Sequence, residues 1–224
     1  MKLGKLLGHG ALVASALGLV TGTAQADPVI GGTLYKTGDM FATFIGSDAA
    51  YSDDLYFYLT VGDLTTAQFL FNNHDAAPGT EVDIDDGALA VGDEAIFGIC
   101  VDRSGGGAMD ACDSADDFFY SGDPTRNADG RDHIKIWTIA TYIAEQPLDG
   151  EGLQFALDAQ AAGYEYILGF EDILGGGDND YNDVIYALRG VTTVPEPVSM
   201  TLLATGLAGM GGAGVFRRRK KAQQ

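Results

Sequence analysis

What most limits the fold of this chain is a rhythm of short runs rich in aromatic and branched residues, each closed by Gly, Asp or Asn. Residues 54–61 (DLYFYLTV) stop at Gly62-Asp63, and residues 66–71 (TAQFLF) stop at Asn72-Asn73. Further runs lie at 95–101, 133–139, 164–170 and 184–188. Side chains of this kind pack well on a pleated surface, and the closing residues favour turns. Only residues 153–162, bounded by Gly152 and Gly163, read as a possible helix. Short strands between turn-rich loops predict an all-β fold, an antiparallel β-sandwich of jelly-roll-like form. The acidic segment 102–129 is expected to be a long loop connecting the two sheets.

The ends of the chain are of a different composition. Lys2 and Lys5 precede an apolar stretch, and Ala24-Gln25-Ala26 supplies small residues before Asp27. Residues 1–26 therefore read as a secretory signal peptide, too short in its apolar part to cross about 30 Å of hydrocarbon. Residues 27–190 form the acidic domain, long enough for one core. Residues 191–197 form a linker ending in Pro195, Glu196 and Pro197, residues 198–216 carry no charge and have the length of a transmembrane helix, and residues 217–224 form a basic tail. Arg217, Arg218, Arg219, Lys220 and Lys221 would keep that tail cytoplasmic. In order and composition, residues 194–221 resemble the PEP-CTERM sorting signal of Gram-negative bacteria. That resemblance implies an exosortase that removes the tail and passes the chain to the cell surface or extracellular matrix. A permanent single-pass anchor is the alternative.

All 32 acidic residues fall between Asp27 and Glu196, where only Lys36, Arg103, Arg126, Arg131, Lys135 and Arg189 are basic. Six basic residues against 32 acidic ones make a difference of −26, which argues against partners that need basic surface: nucleic acid and anionic membranes. Bound divalent cations would relieve the self-repulsion, though solubility or salty surroundings could also account for the charge. Cys100 and Cys112 share the exported part. An oxidising compartment favours a disulfide between them, and closing such a loop contributes roughly 3 kcal/mol. Their spacing fits no zinc motif.

The chemistry concentrates after residue 170. The run 164–170 ends in Glu171-Asp172, followed by Gly175-Gly176-Gly177, then Asp178, Asp180, Asn182 and Asp183, and then the run 184–188. Five carboxylates and one amide thus meet at one turn. Calcium takes six to eight oxygen ligands in irregular geometry, and crowded carboxylates are costly without a cation or protons. The metal candidates are Glu171, Asp172, Asp178, Asp180, Asn182 and Asp183, with calcium as the ion and a solvated acidic hairpin as the alternative. The spacing of Asp178, Asp180 and Asn182 copies the start of an EF-hand loop, but Asp183 replaces its glycine and Arg189 its bidentate glutamate, so an EF-hand is rejected. Asp132 and His133 could support the site. Asp83, Asp85 and Asp86 before Gly87 could form another calcium loop, although an exposed acidic turn fits them better.

Residues 127–133 (NADGRDH), together with GFEDILGGGDNDYNDV at 169–184, resemble the DUF4114 family of bacterial surface proteins. The likeness is clearest from Asn127 to Leu188. It implies an extracellular β-sandwich-like module with a calcium site at the acidic segment, and no catalytic activity.

Motifs for an enzyme are absent: no G-x-S-x-G elbow, no phosphate-binding loop and no H-E-x-x-H. The sequence therefore predicts a non-enzymatic exported protein with a calcium-stabilised domain and a structural or adhesive role. Its processing partners would be signal peptidase and exosortase, with transient anchoring in the inner membrane. The alternative is a protein that binds or cleaves extracellular polysaccharide, with Trp137, Tyr56, Tyr58, Tyr164 and Tyr166 as sugar-stacking candidates or, more simply, core residues.

Overall fold

The computed structural model describes residues 28–84, 87, 89–103, 117–145 and 151–193. Segments 1–26 and 198–216, the basic tail, the Pro195-Glu196-Pro197 triplet and Cys112 lie outside them. Among the described residues no helix is long and apolar enough to cross a membrane.

The described chain is mostly antiparallel β-sheet. Its strands are β1 (Val29–Ile30), β2 (Leu34–Gly46), β3 (Ser52–Tyr58), β4 (Gln68–Asn72), β5 (Glu81–Asp83), β6 (Glu94–Asp102), β7 (Phe118–Tyr120), β8 (Ile134–Thr138), β9 (Tyr166–Phe170) and β10 (Val184–Thr192). Neighbours follow the order β1-β8-β9-β10-β2-β6-β3-β4, with β5 added to β2 and β7 to β6. β2 joins two halves. Leu34 and Tyr35 pair with Ala95 and Glu94 of β6, while Tyr35, Lys36, Phe41, Ala42, Thr43, Phe44 and Gly46 pair with β10.

The predicted strands all form, with ends shifted by a few residues. Three corrections apply. The longest strand, β2, has no counterpart among the predicted runs, because Gly38-Asp39 reads as a turn; it pairs with β10 on both sides of an irregularity that spans residues 37–40. The helix expected at 153–162 is α2 (Glu151–Ala161), but α1 (Ile139–Glu145) precedes it, started by Thr138, whose Oγ1 accepts the Thr141 N–H at 3.2 Å. Segment 102–129 is not a plain loop either: it contains β7, hydrogen-bonded to β6, and a 3-10 turn at Pro124–Arg126.

Period-two alternation sorts the side chains into layers. In β9, Leu168 and Phe170 enter the largest apolar cluster with Val184, Tyr186 and Leu188 of β10. The same cluster takes Leu55, Phe57, Phe97 and Ile99 from the other half. Each such side chain contributes roughly 1.5–3 kcal/mol when fully buried. Ile167 of β9 and Ala187 of β10 face the opposite way, into a second cluster closed by Ile139, Tyr142, Ala156 and Ala159 of the helices. A third cluster, Tyr56, Tyr58, Ile96, Cys100 and Tyr120, covers the far face of β3 and β6. Trp137, Tyr56, Tyr58 and Tyr164 are buried in these layers, so they offer no platform for sugar stacking; Tyr166 is half-buried.

Candidate functional site

The loop from β9 to β10 begins where Phe170 pairs with Val184. Gly175, Gly176 and Gly177 all have positive φ, 91°, 87° and 47°, which lets the backbone double back within three residues. Asn179 and Tyr181 also sit in the left-handed region, at φ 63° and 59°. For a buried aromatic residue this conformation costs on the order of 1 kcal/mol or more and persists only where the surroundings impose it. Two contacts do so. The Tyr181 N–H donates to Glu171 Oε1 at 2.5 Å, and the Tyr181 carbonyl occupies the space where any Cβ on residue 169 would lie, so Gly169 must be glycine.

Glu171 is almost fully buried, 1% exposed, yet one of its oxygens lies within 4.8 Å of carboxylate oxygens from Asp178 and Asp180, which are exposed. This triad could hold a metal ion. Its donors are all oxygen, the preference of a hard cation such as calcium. Burial pushes the Glu171 carboxyl up; the Tyr181 N–H opposes this, and the charges of Asp180 and Asp178 add to it. Asp180 is raised as well, by burial first and then by Asp178. A cation would reverse these shifts, because it favours the charged forms.

The other sequence candidates lie elsewhere. Asn182 turns its amide to Asp180, with Nδ2 donating to Oδ2 at 2.6 Å. Asp172 follows Glu171 directly and by alternation belongs to the opposite, main-core side, that of Leu168 and Phe170. Its N–H donates to Asp183 Oδ2 at 2.8 Å, and the Asp183 carboxyl, raised first by burial, also feels the charges of Glu171, Asp180 and Asp178. Of six candidate residues, the structure gathers Glu171, Asp178 and Asp180 at one place, with Asn182 beside Asp180 and Asp183 held by the Asp172 N–H. For the second candidate loop, Asp83 is the last residue of β5, and Asp85 and Asp86 lie outside the described residues.

Support comes from the segment before β8. His133 is fully buried and stacked on Phe119, with ring centroids 3.9 Å apart. Its Nδ1 lies 3.1 Å from the Glu171 carbonyl and its Nε2 3.0 Å from Asp129 Oδ2; a ring protonated on both nitrogens donates to both. Asp129 Oδ2 also accepts the Gly175 N–H at 2.7 Å, and Arg131 Nη1 donates to the Gly175 carbonyl at 2.9 Å. Burial alone would raise the Asp129 carboxyl, but the Gly175 N–H, the His133 ring and the Arg131 N–H together hold it low. The support therefore comes from His133, Asp129 and Arg131, whereas Asp132 lies against Gly31. Asp129-Gly130 reads in sequence only as a turn, since its carboxylate acts across 46 residues.

Sequence reasoning also missed Asp53, which is fully buried. It shares the odd-numbered, core-facing row of β3 with Leu55 and Phe57. An acidic residue on that row was the available signal.

Residues 89–191 match the family model described as a domain of unknown function, DUF4114. The match starts upstream of the Asn127–Leu188 stretch that carries the sequence resemblance. No curated protein and no solved structure matches the chain.

Proposed function

We propose that this chain is an exported, exosortase-sorted protein of the cell surface or extracellular matrix, non-enzymatic, with a calcium-stabilised β-domain in a structural or adhesive role. The observation that carries the calcium reading is the meeting of Glu171, Asp178 and Asp180 oxygens within 4.8 Å, on a loop braced by His133 and Asp129. Glu171 would be the fixed ligand, because its other contact holds the strained Tyr181; Asp178, Asp180 and water would complete the shell. The ion would supply positive charge where carboxylates crowd, and with it order in the loop.

The strand path folds as a jelly-roll-like sandwich in this proposal. Support comes from the shared core, in which the Phe97 ring of β6 lies 5.8 Å from the Tyr186 ring of β10. The export part rests on the signal-like residues 1–26 and on the Pro195-Glu196-Pro197, apolar and basic segments. A Cys100–Cys112 disulfide fits the same compartment.

The test is calcium binding by calorimetry, with thermal melting, on the full-length chain. A ion that binds only the native state raises its melting temperature. Asp178→Ala/Asp180→Ala should bind one equivalent fewer than wild type. An unchanged stoichiometry would remove the triad as a calcium site. Sorting is tested by fractionating cells that lack the exosortase: the chain should stay in the inner membrane, and unchanged release would overturn that part. Calcium-independent binding on a glycan array would favour the polysaccharide reading instead.

A further inference from the structure

We infer that the groove beside β7, lined by Phe118 and Tyr120, binds a neutral oligosaccharide.

The groove measures about 620 Å³, inside the range of roughly 300–1,000 Å³ that ligand sites occupy. Phe118 and Tyr120 stand two residues apart on one strand, so both rings lie on the same face. Their planes meet at 5°, with centroids 6.2 Å apart. Val61 and Leu64, from the turn after β3, add further apolar lining. A sugar ring has an apolar C–H face and a rim of hydroxyls. A site for it therefore needs aromatic faces and, beside them, hydrogen-bonding groups that the fold itself has left unmet.

Tyr120 supplies such a group. It is 7% exposed, and its N–H and carbonyl are bonded to the Asn127 side chain at 2.7 Å and 3.3 Å. Among the described residues its hydroxyl has no partner, and only burial acts on it. That hydroxyl lies 3.9 Å from where a Cβ on Gly62 would stand, and Gly62 lines the groove as well. Beneath it, the fully buried Tyr58 meets the Tyr120 ring edge-on at 5.3 Å, and its hydroxyl is also without a partner. Buried tyrosine hydroxyls ordinarily find one. A purely apolar ligand would leave the Tyr120 hydroxyl unmet, whereas a sugar hydroxyl can both donate to it and accept from it.

Charge selects among sugars. Arg126 is the charged residue of the lining, and Glu94 holds its guanidinium through two bonds, 2.7 Å and 2.8 Å, with a third to the Ser121 carbonyl at 2.9 Å. The pair leaves no free cation for a uronate, sulfate or phosphate. Asp63, between Gly62 and Leu64, and Asp123, bonded to the Thr125 hydroxyl, add negative charge at the rim. Anionic sugars are repelled there, and uncharged ones are not. The inference rests on the adhesive role proposed above and names its partner, while none of the groove's residues belongs to the acidic triad or to its loop.

The test is calorimetry of the full-length chain against neutral glucan, mannan and galactan hexasaccharides, with an oligouronate of equal length as the charged comparison, in calcium and again in chelator. One of the neutral sugars should bind and the uronate should not. Tyr120→Phe removes only the hydroxyl and should weaken binding about fivefold. Ala128→Trp fills the groove from an exposed lining position, and should abolish binding at an unchanged melting temperature. No binding of any neutral hexasaccharide, equal binding of the uronate, or full affinity in both variants would overturn the inference. Neutral binding that persists in chelator supports the groove even where the triad binds no calcium, so failure of the calcium reading stays distinct from failure of this one.

Discussion

Glu171 and Asp172 are neighbours in sequence and opposites in setting. Glu171 accepts the N–H of the strained Tyr181, a member of the second apolar cluster, and has an oxygen close to the exposed carboxylates of Asp178 and Asp180. Asp172 belongs to the main-core side, with an orphan oxygen beside a carboxyl from a distant strand. The difference teaches that a dense acidic string at a strand end need not be one cage. Alternation sends successive side chains to opposite faces, and each face gathers its own partners.

That contrast can be broken most strongly from the Glu171 side without touching a charge. Gly169→Val puts a side chain where the Tyr181 carbonyl sits, and should destabilise the domain by about 3 kcal/mol in urea unfolding. A near-neutral effect would mean that Tyr181 is not pinned. Glu171→Ala is next: in chelator it leaves the Tyr181 N–H buried without its acceptor, for a loss of about 2 kcal/mol by the same measurement.

The Asp172 side is read by pH. In the cation-free protein the folded Asp53 holds its proton up to about 9, and Asp172 and Asp183 are raised to about 6, whereas unfolded aspartates release theirs near 3.8. Between those values the native state binds more protons at these three groups, so the stability they contribute is fully present below about pH 4 and is lost as pH rises. Melting temperatures in chelator should show that fall, and Asp53→Asn should flatten most of it above pH 6. A stability that climbs with pH over this window would contradict the burial of Asp53 and Asp172. The smallest effect belongs to Asp178→Ala/Asp180→Ala in chelator, within about 0.5 kcal/mol of wild type, because both side chains are exposed. Only calcium should reveal their loss.

Much of this was legible in the residues. The runs at 95–101, 133–139, 164–170 and 184–188 are strands because their apolar side chains alternate between two buried faces, and that pattern is local. β2 was not legible, since Lys36, Gly38 and Asp39 interrupt its pattern and its partner β10 is distant in sequence. The acidic loop announced oxygen ligands by composition, and its glycines announced a tight reversal. Asp129 read only as a turn, and His133 as a strand start that could support the site; the fold sets them against Gly175 and Glu171.

The sequence by itself determined the β-rich class, the place of the acidic turn and the differing composition of the chain's ends, because each depends on residue type and short-range order. The tertiary structure decided which carboxylates come near one another. That depends on which face of a strand a side chain occupies and on what a distant strand brings there: Asp53 from β3 to Asp172, and the Gly177 turn that carries Asp178 and Asp180 back to Glu171.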